Sequence, residues 1–64
     1  MKVGDKVSFQ GQIYTAVKKK YNLDSEGAYE AEIELRSDDG ISRFFPEWIC
    51  DEWLALDKEK GIVY

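Results

Sequence analysis

The sequence predicts a small all-β domain of about five antiparallel strands, with residues 1–64 forming a single unit. Short segments of alternating polarity are separated by turn-forming residues at strand-like spacing, and no window reads as a helix from its apolar period. The length sets a bound as well, since 64 residues hold one core and leave no room for a second.

The first predicted strand covers residues 5–9, with Val7 and Phe9 on one face and Lys6 and Ser8 on the other. Gln10-Gly11 turns the chain. A bulged three-residue loop sets Phe9 opposite Ile13 and Val7 opposite Thr15, whereas a two-residue loop sets Phe9 opposite Gln12. The better apolar match selects the bulge. The second strand, residues 13–21, then turns Ile13, Thr15 and Val17 inward, and Tyr14, Ala16, Lys18 and Lys20 outward.

Residues 22–27 read as a polar loop, because Asn22, Asp24, Ser25 and Gly27 are all turn formers. The third strand, residues 29–35, has the clearest alternation in the chain. Tyr29, Ala31, Ile33 and Leu35 form its apolar face, and Glu30, Glu32 and Glu34 its polar one. Charge suggests the register: pairing Tyr21 with Tyr29 places Lys20 opposite Glu30, Lys18 opposite Glu32 and Val17 opposite Ile33. The Lys18-Lys19-Lys20 run is thereby one side of a cross-strand ladder.

Ser37-Asp38-Asp39-Gly40 is a hairpin turn. A four-residue loop sets Ile33 opposite Phe44 and Glu34 opposite Arg43. Residues 41–45 form the fourth strand, which ends at Pro46 because proline cannot donate to a ladder. Residues 46–49 suit a 3₁₀ turn, and residues 52–56 a last strand with Leu54 and Leu56 inward. Residues 57–61 are a charged turn, and the apolar Ile62-Val63-Tyr64 is expected to dock beside the first strand.

This order of elements resembles the SH3-like barrels. Val3-Gly4-Asp5-Lys6-Val7, with Phe9, Gly11, Tyr14 and Val17, looks like the opening of small bacterial and phage SH3-like proteins. Phe45-Pro46-Glu47-Trp48-Ile49 is similar to the proline-bearing 3₁₀ turn before the last SH3 strand, and Trp53-Leu54-Ala55-Leu56 looks like that closing strand. The ALYDY-like segment of peptide-binding SH3 domains is absent. The resemblance implies a small SH3-like barrel, and the size and style of the chain resemble those of phage or mobile-element proteins; the function expected on that footing is an interaction module that modulates a host protein.

Composition points away from chemistry. The chain has no histidine, so it lacks the usual general base and the commonest metal ligand. Its one cysteine, Cys50, excludes an internal disulfide and an ordinary zinc site, and reads as a small buried hydrophobe. Neither a Walker-type nor a dinucleotide-binding glycine motif is present. The acidic groups Asp24/Glu26, Asp38/Asp39 and Asp51/Glu52 read as solvated turn residues. The expectation is a protein that is not an enzyme and takes no cofactor and no metal. A single thiol and the lack of any long apolar run fit a cytoplasmic protein that does not enter a membrane.

Binding is the better-supported class. Nine aromatic residues exceed what so small a core hides, and surplus Tyr and Trp are favoured interface anchors. By the SH3-like resemblance, Tyr21, Asp24, Glu26, Phe45, Trp48 and Trp53 would line one acidic, aromatic patch. Such a patch suits another protein presenting a basic or proline-rich segment. The competing reading is that these rings close the ends of a barrel. Two other functions stay open. Lys18, Lys19, Lys20 and Arg43 on one sheet face would suit nucleic acid, although a net charge of −4 disfavours it. The C-terminal Ile62-Val63-Tyr64 or an unpaired edge strand could mediate self-association, giving a monomer or a weak homodimer.

Overall fold

The structure is a computed structural model that describes residues 1–23 and 25–62. Four strands, β1 (Lys6–Phe9), β2 (Gln12–Leu23), β3 (Tyr29–Ser37) and β4 (Ser42–Pro46), form one antiparallel sheet in chain order. A helix, α1 (Glu47–Glu59), follows directly. The fold is therefore mostly β, as expected, but the sheet is open and its fifth element is helical.

At both tight hairpins the register follows from a loop one residue shorter than the sequence suggested. Gln10 (φ 51°) and Gly11 (φ 78°) both adopt positive φ, the signature of a two-residue type I′ turn. Phe9 therefore faces Gln12, and Val7 faces Tyr14. The expected bulged loop is corrected, and with it the buried face of β2. Tyr14 and Ala16 lie in the core, whereas Ile13 is exposed. Burying the Tyr14 ring covers more apolar area than Thr15 could, and its hydroxyl donates to Gln12 Oε1 at 3.2 Å. At the other hairpin, Asp38, Asp39 and Gly40 (φ 86°) make a three-residue loop, closed by Gly40 N–H on Ser37 C=O at 3.0 Å. This sets Ile33 opposite Phe45 and Glu34 opposite Phe44. The expected Ile33–Phe44 and Glu34–Arg43 pairs give way to it, so Phe45 turns inward and Phe44 outward. A change of one residue in register exchanges the two faces of a strand.

Between β2 and β3 the register breaks at Val17, a bulge residue between the Ala16–Leu35 and Lys18–Glu34 pairs. Before the bulge the even-numbered residues of β2 face the core, and after it Lys19, Tyr21 and Leu23 do. Lys20 lies opposite Glu32 and Lys18 opposite Glu34. The expected Lys–Glu ladder is present but displaced by two residues from the Lys20–Glu30 and Lys18–Glu32 pairs. The inward face of β3 is as read from its alternation, with Ile33 and Leu35 fully buried.

The largest correction is α1. The expected 3₁₀ turn at 46–49 and strand at 52–56 are one helix of 13 residues. Pro46 (φ −56°, ψ 142°) ends β4 and caps the helix in a conformation that its ring prefers. Cys50, Trp53, Leu54 and Asp57 stand at i, i+3, i+4 and i+7, so a helix buries on one face what a strand would divide between two. Glu47 in the first turn and Lys58 in the last complement the helix dipole. Gly61 (φ 77°) closes the end, with Gly61 N–H on Lys58 C=O and Ile62 N–H on Asp57 C=O at 3.1 and 2.9 Å, a Schellman arrangement. Of the expected C-terminal docking segment, Val63 and Tyr64 lie outside the described residues.

The helix bridges the two edges of a curled sheet. The Trp53 ring stacks on Phe9 of β1, with centroids 4.2 Å apart, and meets Phe45 of β4 edge-on at 4.9 Å. In a flat sheet those strands would stand about 14 Å apart, at roughly 4.8 Å per strand. The core beneath comprises Val7, Tyr14, Ala16, Ile33, Leu35 and Cys50. Asp57, itself buried, accepts the Ser8 N–H at 2.8 Å and the Ser8 hydroxyl at 2.6 Å, pinning the helix to the β1 edge. No helix among the described residues is long and apolar enough to cross a membrane.

Candidate functional site

The residues expected in one aromatic patch are dispersed. Phe45 and Trp53 are half-buried in the aromatic cluster that closes the fold. Trp48 is 59% exposed, and at 100° per residue it projects from the helix face opposite Cys50 and Asp57. Tyr21 is 63% exposed near the far end of β2. Glu26 lies exposed in the loop beyond it, and Asp24 is outside the described residues. The helix accounts for this dispersal: an α-helical period sends Trp48 and Trp53 to different faces.

The structure instead gathers a row that the sequence did not single out. Beyond the Val17 bulge, the core-facing positions of β2 and β3 continue past the reach of α1 as Tyr21 opposite Ala31 and Leu23 opposite Tyr29. Leu23 is 63% exposed and Tyr29 is 77% exposed. Cross-strand neighbours on one face lie about 5 Å apart, so these side chains form one apolar surface on the distal hairpin. Leu23 was missed because it sat among turn formers. Its signal was the alternation with Tyr21, two residues before it.

Lys19 marks the border between the covered and uncovered halves. Its ammonium lies 2.5 Å from Glu47 Oε2 on α1 and 5.5 Å from the centre of the Tyr21 ring. The hydrogen bond to Glu47 first, and then that to Tyr21, raises its proton affinity and keeps it charged. The helix N-terminus is thus tied to the root of the exposed arm.

On the opposite sheet face, Lys18 and Lys20 stand across from Glu34 and Glu32, and Lys20 also lies 4.6 Å from the centre of the Phe44 ring. Asn22 bonds Glu32, and Arg36 pairs with Glu34 at 3.2 Å. The basic residues expected together on one face are divided: Lys18 and Lys20 lie on this face, whereas Lys19 and Arg43 occupy core-facing register positions opposite Ile33 and Leu35. Odd spacing in β2 and the one-residue shift in β4 separate them.

Cys50 is fully buried on the inward face of α1. Burial, and next the neighbouring Asp51 charge, push its thiol up to about 11. At neutral pH it is a packing group rather than a nucleophile. Comparisons of the chain with protein-family models, with curated proteins and with solved structures return no match.

Proposed function

We propose that this chain is a non-enzymatic protein-binding module whose contact surface is the distal β2–β3 hairpin. The observation that carries this reading is the Tyr21–Leu23–Tyr29 row, which continues the core-facing register beyond the helix that covers the rest of it. Two of its three anchors are tyrosines, which contribute large contact area at low entropic cost. The acidic balance of the chain favours a partner with basic groups around an apolar contact. Kinship with the small SH3-like proteins belongs to the same proposal. Its support is the curl that brings Phe9 and Phe45 onto one indole.

The test is capture of partners from native-host lysate on the immobilised chain, compared with a Leu23→Ser/Tyr29→Ser variant. Both side chains are exposed, so the variant keeps its fold by far-UV circular dichroism. A partner retained by the native chain and lost from the folded variant supports the reading. Equal retention by both chains overturns it.

A further inference from the structure

The two edges of the sheet are treated differently. In an antiparallel ladder, alternate residues of an edge strand point their N–H and C=O away from the neighbouring strand. On β1, Ser8 points outward, and the Asp57 carboxylate takes its N–H. On β4, the Ser37 N–H bond to Ile41 C=O sets the alternation, so Arg43 and Phe45 bond to β3 while Ser42 and Phe44 point outward. Among the described residues, nothing meets those outward groups of Ser42 and Phe44. An unpaired strand edge of this kind is a template for another strand.

We propose that β4 is a self-association edge, where two copies pair their β4 strands antiparallel about a twofold axis through Phe44. The strand itself argues for a second copy as the occupant, because it is self-complementary in this register. Each Phe44 N–H donates to the Phe44 carbonyl of the other copy, a reciprocal pair on the axis. Pro46 has no N–H and, as the cap of α1, gives its carbonyl to the first helical turn, so the pairing ends before it. The Phe44 rings, each 48% exposed, become directly opposed, and Arg43 meets the aromatic Phe45. The neighbouring symmetric register, centred on Arg43, would set the two guanidinium groups against each other, which is unfavourable. Charge therefore selects the Phe44 register. This edge is distinct from the Tyr21–Leu23–Tyr29 surface, so either proposal can fail alone.

The test is sedimentation equilibrium of the full chain from micromolar to millimolar concentration. The expected mass rises from 7.4 kDa towards twice that value. Phe44→Lys and Phe44→Glu should each weaken association at least about tenfold, since an aromatic pair is lost and like charges are opposed. An equimolar mixture of the two variants should restore it, because the opposed charges then attract. Amide exchange on the unmodified chain gives a second readout that needs no variant: the Phe44 amide should slow as concentration rises. A chain that stays monomeric, association unchanged in Phe44→Lys, or association lost only in Leu23→Ser each overturns the proposal.

Discussion

The near and far halves of the β2–β3 hairpin are built alike and end in opposite environments. Near the helix, the core-facing register carries Tyr14, Ala16, Ile33 and Leu35, all buried. At the far end the same face carries Tyr21, Leu23 and Tyr29, all exposed. Strand alternation is the same in both. What differs is whether α1 reaches over them, which shows that an apolar strand face marks a core only where a second layer arrives. In the uncovered half, the same pattern leaves an exposed apolar face, the surface proposed above for binding.

This contrast can be broken most directly by truncating one leucine from each half. Leu35→Ala should cost about 2–5 kcal/mol in urea unfolding, as expected for a fully buried leucine. Leu23→Ala should fall within about 0.5 kcal/mol of the native chain, as for an exposed site. Comparable losses at both positions would mean that the far half is packed in solution. The tryptophans allow the same comparison on the helix. Trp53→Ala should cost roughly 3 kcal/mol by removing the ring that joins Phe9 and Phe45, and Trp48→Ala close to nothing. In Trp53→Phe, the remaining Trp48 emission should be red-shifted and readily quenched by acrylamide.

Cys50 sharpens the description of the covered half through pH. Below about pH 9 the thiol is neutral in folded and unfolded chains alike, and it contributes no pH dependence. Between about 9 and about 11 the unfolded chain releases the proton while the folded one keeps it, so stability falls as pH rises. The slope is at most roughly 1.4 kcal/mol per pH unit. Urea titrations of the native chain against Cys50→Ala should show this component only in the native chain. A native thiol that reacts freely with Ellman's reagent at neutral pH would contradict its burial. A small gain is expected at the β1–β2 turn. Gln10 holds φ 51°, which asparagine adopts more readily. Gln10→Asn should stabilise the chain by about 0.5 kcal/mol, within the range of turn-compatible substitutions. A loss instead would argue against the two-residue turn.

Legibility in the sequence followed the range of the forces involved. Turn positions at Gln10-Gly11 and Asp38–Gly40 were readable because positive-φ demands are local. The face of β3 was readable because its glutamates and apolar residues alternate without interruption. The aromatic site was half readable. Tyr21 was named for its exposure, but its neighbours Leu23 and Tyr29 depend on a register that was displaced by two residues. The helix was also written in the chain, in Cys50, Trp53, Leu54 and Asp57 and in Gly61 beyond them. An interior aspartate hid that period, because a carboxylate does not count as apolar until Ser8 supplies its hydrogen bonds.

By itself, then, the sequence determined that residues 6–46 are strands and turns, that lysines face glutamates across β2 and β3, and that the chain lacks a histidine for ordinary acid–base work. Only the tertiary structure decided the loop lengths, the Val17 bulge and the helical ending. The physical reason is parity. Side chains alternate with a period of two, so one residue more or less in a turn reverses a whole face. The energy that chooses between the faces comes from Trp53, Phe9 and Phe45, which meet only when both edges of the sheet curl onto the helix.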